Sequence, residues 1–361
     1  MHSSALKTPR VAMLASIGGV LVAFVWSIVR SGATISPGLS DAYNAAVIWP
    51  RVPSGEFSSF YADSALGILV FRALPLQSEQ QFLLLSATAA ITAVIALAGW
   101  AAWAVPSEFK SRAVRLMLLA PLPAVLFNWL GFYDGFTALA WAAIFWAWAS
   151  GNRVLLVLAG ILLGLQHFEQ GVLGLIALTL VWFAVRSNLR EPLRNRVPIW
   201  AVIGLGIGKG ILMTTLALNG SELSGRTSGV SAYYREWIIT AINTGPMLLW
   251  SLFAGSWAIV IAWWLRESHR RNQILVILAI ALALGAALIS GDRPRVFIMI
   301  TAPLLLVLTI GLLMDQGLSR RSWIGIETIV WIGPPIALWG SKVVNSNALD
   351  HLIMTFSSLT G

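Results

Sequence analysis

The sequence predicts an all-α, polytopic integral membrane protein with about eleven transmembrane helices, in a range of roughly ten to thirteen. The 361 residues are 58% hydrophobic and only 11% charged, and their mean hydropathy is +0.79. A soluble domain has about 25% charged residues. Apolar runs close to the ~20 residues that a helix needs to cross a bilayer recur along the chain. They lack the alternation of a membrane β-barrel.

The predicted spans cover nearly the whole chain as one domain, residues 1–361. In order they are 11–29, 81–105, 116–130, 136–150, 154–165, 171–185, 197–218, 246–265, 272–290, 296–314 and 323–340. Pro121 and Pro123 should bend the third span. The runs 64–75 and 351–359 are too short to span and are expected to lie at the interface. The run 11–29 is expected to be a retained first span, because further spans follow it.

Charge distribution predicts the orientation. Lys7 and Arg10 precede the first span, so the positive-inside rule places the N-terminus in the cytoplasm. In this topology most Lys and Arg residues fall in inner loops, and most of the fifteen acidic residues fall at the outer face. The expected location is a bacterial inner membrane, with the functional face towards the periplasm. The net charge of +9 does not indicate a nucleic-acid partner, because the bases sit in short loops.

The first outer loop, residues 30–80, carries an unusual group of acidic and aromatic residues. Asp41 follows the first span by about a dozen residues, with Tyr43 and Asn44 beside it. We expect Asp41 to act as a general base, and partial burial under aromatic rings would raise its pKa. Glu56 and Asp63 are alternative acids in the same loop. A solvated loop whose aromatic residues belong to the interfacial belt is the simpler alternative.

Two later turns carry further candidate binding residues. In the turn at 128–135, Gly131 and Gly135 allow a tight reversal that would hold Tyr133 and Asp134 at membrane depth. The polar segment 166–170 separates the fifth and sixth spans and contains His167 and Glu169. These two side chains are candidates to contact a phosphate-linked donor, or a divalent cation through its phosphate. Neither turn predicts a metal site of its own, and each has a plain polar turn as its alternative.

Several arginines are predicted on the outer side, although most Lys and Arg residues fall in inner loops. Arg293 and Arg295 start the tenth span and suit the phosphate of an anionic lipid. Arg226 and Arg235, in the outer loop 219–245, and Lys209 are weaker candidates for the same role. An Arg–Asp pair that anchors the span is the alternative for Arg293 and Arg295. Lys209, halfway along an apolar span, is expected to pair with Glu327 or with another buried group.

This pattern resembles the GT-C superfamily of integral membrane glycosyltransferases, particularly the polyprenyl-phosphate-sugar-dependent mannosyl- and arabinosyltransferases. The resemblance covers about residues 1–185, with 186–361 as variable C-terminal helices. The residues that carry it are Ser40-Asp41-Ala42-Tyr43, Gly55, Phe60-Tyr61, the short helix 64–75 and the Gly-x-x-Asp-Gly turn at 131–135.

The resemblance implies inverting transfer of a sugar from a lipid-phosphate donor to a glycan or glycolipid acceptor, with Asp41 activating the acceptor hydroxyl. Some branches of the family have an adjacent Asp-Glu pair in the first loop. This sequence lacks one, so Asp41, Glu56 and Asp63 stay open as the base. No cofactor is implied with certainty, and a divalent cation is the one candidate.

Other functional classes fit parts of the pattern. An O-antigen-type polysaccharide polymerase or ligase would also use outer arginines, but it usually has a larger outer loop late in the chain. A transporter or flippase for a lipid-linked substrate predicts internal repeats and charges in mid-span, and Lys209 and Glu327 are the only such charges. A non-catalytic assembly subunit is the remaining alternative.

Overall fold

The computed structural model of the protein describes residues 9–51, 61–221, 228–243, 245–290, 293–315, 317–333, 337–339 and 342–344. Its α-helices are α1 (Pro9–Ser31), α2 (Leu39–Ile48), α3 (Ala65–Ala73), α4 (Glu79–Ala104), α5 (Lys110–Leu118), α6 (Pro121–Asn128), α7 (Asp134–Ser150), α8 (Arg153–Val185), α9 (Glu191–Arg194), α10 (Trp200–Leu218), α11 (Ser228–Asn243), α12 (Gly245–Phe253), α13 (Trp257–Arg266), α14 (Arg270–Leu288), α15 (Arg293–Met314) and α16 (Arg320–Ile332). Two short strands, β1 (Ala337–Trp339) and β2 (Lys342–Val344), form an antiparallel pair.

The structure is that of an integral membrane protein built almost entirely of helices. Six helical segments in the described ranges are long and apolar enough to cross a bilayer. They are Glu79–Ala104, Arg153–Asn188, Trp200–Leu218, Gly245–Arg266, Arg270–Leu288 and Pro294–Met314, and Ser16–Ser31 is a shorter apolar helix. The predicted number of eleven spans and the predicted orientation remain predictions.

The predicted third span is divided into α5 and α6 at Leu119 and Ala120. Pro123 has no N–H, so the carbonyl of Leu119 loses its partner in a continuous helix. Arg30 replaces that partner, because its Nη2 donates to Leu119 O at 2.8 Å. Arg30 Nη1 also donates to the carbonyls of Val330 and Gly333 at the end of α16. One arginine of α1 therefore ties two helix ends together inside the bundle.

Helix α8 folds back on itself at His167, which has φ −152° and ψ 79°. In a straight helix, residues eight apart are separated by about 12 Å along the axis. A Cβ on Gly171 would instead lie 2.9 Å from Leu163 Cγ. Hence α8 is a helical hairpin, and its tip is the polar segment 166–170 that the sequence placed between two spans.

The first arm of this hairpin packs in parallel against α10 through glycines on both helices. A Cβ on Gly160 or Gly164 would overlap the backbone of α10 at Ala201 or Leu205. A Cβ on Gly204 would likewise overlap the carbonyl of Val157. Small residues four apart allow helix backbones in a membrane to approach this closely. The contact sets the height of the hairpin tip relative to α10.

The predicted eighth span, 246–265, corresponds to the apolar segment Gly245–Arg266, in which a short 3-10 turn at Ala254–Ser256 separates α12 from α13 and Ala254 has φ +47°. The predicted eleventh span is wrong beyond Ile332, because α16 ends there and β1 and β2 follow. The predicted outer loop 219–245 contains a helix, α11. The segment 351–359 lies outside the described residues.

Arginines fix the opposite end of the bundle from Asp134. Arg190 donates to the carbonyls of Trp103, in the last turn of α4, and Val105, directly after it, at 2.6 and 2.9 Å. Glu327 forms ion pairs with Arg112 at 2.6 Å and Arg115 at 3.2 Å. The alternative that Lys209 pairs with Glu327 is therefore wrong.

Candidate functional site

The loop after α1 is held against the turn between α6 and α7. Thr34 N donates to Phe127 O at 3.1 Å, and Ser36 N donates to Leu130 O at 2.8 Å. The phenol of Tyr133 donates to Ala42 O in α2 at 2.8 Å. These bonds join segments that are about ninety residues apart, and they bring the start of α2 next to the 128–135 turn.

Asp41 lies in the first turn of α2 and is exposed. The expected burial of Asp41 under aromatic rings is therefore wrong. Tyr43 is half-buried and donates to Gln77 O at 2.7 Å, while Asn44 is exposed. A carboxylate in the first turn of a helix is stabilised by the partial positive charge of the helix N-terminus. The position leaves Asp41 accessible to a substrate.

Gly131 makes the turn between α6 and α7 possible, because its φ of +90° is strained for any residue with a side chain. Gly135 serves a different purpose from the one expected. It lies inside α7, and a Cβ there would come within 2.9 Å of Ala90 N in α4. The turn thus depends on Gly131, and the close packing of α7 on α4 depends on Gly135.

Tyr61 links Asp41 to this turn. Its buried ring packs on Phe132 and Tyr133, with ring centroids 5.8 and 6.1 Å away. Its hydroxyl lies 2.8 Å from the position of a Cβ on Gly38, directly before α2. Burial raises the pKa of the Tyr61 phenol, and the negative charge of Asp41 raises it further, while Arg295 opposes the rise. Tyr61 therefore lies in the fields of both Asp41 and Arg295.

Asp134 and Arg295 form a buried ion pair. Arg295 Nη1 lies 3.0 Å from Asp134 Oδ2, and the two residues are 7% and 2% exposed. The guanidinium also lies over the ring of Phe132, 4.4 Å from its centroid, and 5.6 Å from that of Trp129. Asp134 is thus more than part of a turn, and Arg295 has a carboxylate partner within the protein.

The hairpin tip of α8 reaches the same turn. Gln166 is fully buried, accepts from Gly67 N at 3.2 Å and donates to Tyr133 O at 3.1 Å. His167 is buried at the break, and the side chain of Glu169 is 40% exposed. Gln166 therefore fixes the tip between α3 and the start of α7.

Lys209 of α10 joins the tip to the end of the first loop. Its ammonium lies 3.4 Å from Asp63 Oδ2 and 3.5 Å from Glu169 Oε1. The ammonium also lies 5.8 Å from the centroid of the Phe168 ring. The expectation that Lys209 has a charged partner is met by these two carboxylates. We call Asp63, Asp134, Glu169, Lys209 and Arg295 the charged cluster.

An apolar cavity lies beneath the Asp134–Arg295 pair. Ala138 and Trp141 of α7, one and two turns beyond Asp134, line it, as does Met299, one turn beyond Arg295. The hydroxyls of its two threonines, Thr301 and Thr309, donate to carbonyls of their own helix, so they add no free polar group. Among the residues that the structure describes, the indole N–H of Trp141 has no hydrogen-bond partner.

The remaining candidates are placed elsewhere or not described. Glu56 and Arg226 lie outside the described residues, as does the side chain of Arg293. Arg235 is exposed on α11, and none of the described contacts joins it to the charged cluster. In the described part of the chain, no group of three or more His, Asp or Glu side chains is arranged to hold a metal ion.

The roles of three residues of this site were predicted incompletely from the sequence. Tyr61 was noted only as part of the loop pattern, and Gln166 only as a polar residue of the tip. Lys209 was recognised as needing a partner, but not as the residue that joins Asp63 to Glu169. A lysine inside an apolar span was the available signal, because such a charge requires a partner or water.

Compared with known proteins, the chain matches no family model, no curated protein and no solved structure. The class that the fold defines is an integral membrane protein of the all-α type.

Proposed function

We propose that the protein is a membrane glycosyltransferase that moves a sugar from a polyprenyl-phosphate donor to a lipid- or polysaccharide-linked acceptor at the outer face. One observation carries the proposal. Carboxylates from four remote segments, Asp41, Asp63, Asp134 and Glu169, gather at one end of an apolar bundle. Of these, Asp63 and Asp134 are buried, and buried ionisable groups in a membrane protein are costly and usually functional.

In the proposed reaction, Asp41 is the general base. Its carboxylate takes the proton of the acceptor hydroxyl as the hydroxyl oxygen attacks the anomeric carbon of the donor sugar. The bond from the anomeric carbon to the phosphate oxygen breaks, and the lipid phosphate leaves with the electron pair. The anomeric configuration inverts. The exposure of Asp41 suits this role, because the acceptor must reach it from water.

The donor phosphate needs cationic partners. Arg295 is already neutralised by Asp134, so a phosphate would have to compete with that carboxylate. We therefore assign the phosphate first to Arg293, with Arg226 and Arg235 as weaker candidates. In this proposal, Arg295 holds Phe132 and the 128–135 turn in place.

Product analysis tests the proposal. Membranes from cells that produce the protein are incubated with polyprenyl-phosphate-linked radiolabelled mannose, and in parallel arabinose, and the glycolipids are separated and counted. We expect labelled product from the unaltered protein and from Asp315→Asn, which alters an exposed ion pair with Arg266. Asp41→Asn should give none. Equal product with Asp41→Asn would exclude Asp41 as the base.

Lys209 favours one second candidate, a transporter or flippase for a lipid-linked substrate. A charge halfway along an apolar helix is typical of transport sites. The two candidates differ in outcome, because a flippase moves its substrate across the bilayer without changing it. A labelled lipid recovered unaltered on the opposite face would favour the flippase.

A further inference from the structure

Two exposed arginines meet at the end of the bundle opposite the charged cluster. Arg153 begins α8, and Gln166 in the hairpin tip follows it by thirteen residues, which is about 20 Å of helix. The guanidinium of Arg196 lies over Gly151, in the turn between α7 and α8, because a Cβ on Gly151 would overlap it. The side chains of Arg153 and Arg196 therefore belong to the same turn.

Trp200, the first residue of α10, completes this corner of the bundle. Its ring centroid lies 5.3 Å from the guanidinium carbon of Arg153. The indole of Trp148 donates to the backbone carbonyl of Arg196 at 2.7 Å and holds that segment in place. Tryptophan and arginine at the ends of membrane helices are typical of the headgroup region. We call Arg153, Arg196 and Trp200 the basic corner.

The two arginines of the basic corner differ from others at this end of the bundle, whose charges are used within the protein. Arg190 donates to two backbone carbonyls, and Arg112 forms an ion pair with Glu327 at 2.6 Å. None of the described ion pairs contains Arg153 or Arg196. The one described hydrogen bond of the Arg196 guanidinium, to a backbone carbonyl, is long at 3.5 Å. Both guanidinium groups can therefore donate to an anion from outside the protein.

The surface beside the basic corner is apolar and exposed. Val154 and Leu155, directly after Arg153, are 65% and 45% exposed, and Ile199, directly before Trp200, is 54% exposed. Both α8 and α10 belong to segments that are long and apolar enough to cross a bilayer, so these side chains meet lipid. An anion bound at the basic corner thus lies next to acyl chains. The phosphate of a phospholipid has both the negative charge and the chains that this surface fits.

We infer that the basic corner binds the phosphate of an anionic phospholipid, with phosphatidylglycerol as the simplest example. The two guanidinium groups donate to the phosphate oxygens, and the acyl chains lie along Val154 and the exposed side of α10. Basic pockets between membrane helices are known to bind anionic headgroups. The proposed glycosyl transfer takes place at the other end of the bundle, so this inference does not rest on it.

The chain contains no cysteine, so one introduced cysteine reports on one place. Val154→Cys is labelled with a benzophenone maleimide, and the protein is reconstituted in liposomes of equal parts phosphatidylglycerol and phosphatidylcholine. One of the two lipids is radiolabelled in each of two parallel preparations. Ultraviolet light joins the benzophenone to adjacent lipid, and the label retained on the protein gives the ratio of the two lipids captured.

A second position separates a specific site from general attraction to this end of the bundle. Ile274→Cys, 48% exposed near the start of α14, lies close to Arg270 and Arg271, which are exposed at the same end. We expect the excess of phosphatidylglycerol at Val154→Cys to be about fivefold or more above that at Ile274→Cys, because one base near an anionic lipid contributes a factor of about five. An equal excess at the two positions would overturn the site.

Charge variants in the Val154→Cys protein test the two arginines. Arg153→Gln with Arg196→Gln should lower the excess at Val154→Cys to the value at Ile274→Cys. Arg270→Gln with Arg271→Gln removes the same charge at the same end and should leave it unchanged. An excess that survives the loss of Arg153 and Arg196 would overturn the inference.

Each variant is required to give a single monodisperse peak in size-exclusion chromatography. If the Arg153 and Arg196 pair of changes fails, Arg196→Gln alone replaces it and should lower the excess by about fivefold. The comparison of Val154→Cys with Ile274→Cys needs neither change.

Inorganic phosphate distinguishes a lipid headgroup from a soluble anion. It is added in excess, with the ionic strength matched by NaCl in the reference sample, because salt alone screens exposed charges. We expect the same ratio of captured lipids in the two samples. Loss of the excess in phosphate but not in NaCl would assign the basic corner to free phosphate and overturn the lipid assignment.

Discussion

Asp134 and Arg295 form an ion pair, 3.0 Å between Oδ2 and Nη1, that joins the first residue of α7 to the first turn of α15. The pair connects the two halves of the predicted domain, residues 1–185 and 186–361. Because both side chains are shielded from solvent, neither charge has water to stabilise it alone. The pair therefore contributes to the structure whatever its role in binding.

We predict that Arg295→Met destabilises the folded protein by about 3–5 kcal/mol, because it leaves the Asp134 carboxylate buried without its cation. Arg266→Met is the matched control. It removes an ion pair with Asp315 whose side chains are about one-third exposed, and it should cost about 1 kcal/mol or less. Thermal unfolding in detergent measures both. Equal melting temperatures for the two variants would contradict the importance of the buried pair.

The close packing of α8 on α10 gives a second prediction. Gly204→Ala should destabilise the protein by about 1–3 kcal/mol, because the new methyl group overlaps the carbonyl of Val157. Gly206→Ala, on the same helix, meets nothing within 4 Å and should be neutral or slightly stabilising. The melting temperatures of Gly204→Ala and Gly206→Ala, each compared with that of the unaltered protein, measure this difference. If Gly206→Ala were the more harmful change, the parallel packing of these helices would be wrong.

Arg30 offers a third prediction, since it satisfies carbonyls of α16 and the carbonyl exposed by Pro123. Arg30→Met should cost about 1.5–3 kcal/mol, the range for a hydrogen bond that involves a charged group. Arg271→Met, at an exposed arginine of α14, serves as the control and should lie within about 0.5 kcal/mol of the unaltered protein. If both variants lost similar stability, the loss would come from removing a positive charge and not from the hydrogen bonds of Arg30 to the helix ends.

The raised pKa of Tyr61 predicts a change of stability at high pH. A phenol whose pKa is higher in the folded state contributes stability that is complete below the unfolded pKa of about 10 and is lost as pH rises through the folded pKa. The melting temperature should therefore fall more steeply between about pH 9 and 11 in the unaltered protein than in Tyr61→Phe.

Asp41→Asn provides the control for this pH effect. Removing the carboxylate removes one of the two causes of the raised pKa of Tyr61, so the slope should become intermediate between those of the unaltered protein and Tyr61→Phe. If Asp41→Asn had the same slope as the unaltered protein while Tyr61→Phe had a shallower one, Tyr61 would not lie in the field of Asp41.

Much of the fold could be predicted, because apolar length alone identifies helices that suit a bilayer. The predicted span 81–105 corresponds closely to α4, and Pro121 and Pro123 correctly indicated a bend. The interruption at Ala254 could not be predicted, because a positive φ at alanine leaves no sequence signal. The strands after Ile332 were missed because their residues are as apolar as a span.

The candidate site was predicted less completely, because its contacts join residues remote in sequence. Polarity within apolar surroundings marked Asp134, Glu169 and Lys209 one by one. Pairing Lys209 with Asp63 requires the height that Gly164 and Gly204 set between α8 and α10. The exposure of Asp41 depends on how α2 packs, which its neighbouring aromatic residues did not reveal.

The most direct test of the proposed function is a transfer assay with purified protein in liposomes. The rate of mannose or arabinose transfer from the polyprenyl phosphate is compared among the unaltered protein, Asp41→Asn, Asp41→Glu and Asp315→Asn. We predict a loss of about 100-fold or more for Asp41→Asn, partial activity for Asp41→Glu and full activity for Asp315→Asn. Transfer at an unchanged rate by Asp41→Asn, or no transfer by the unaltered protein from either donor, would contradict the account.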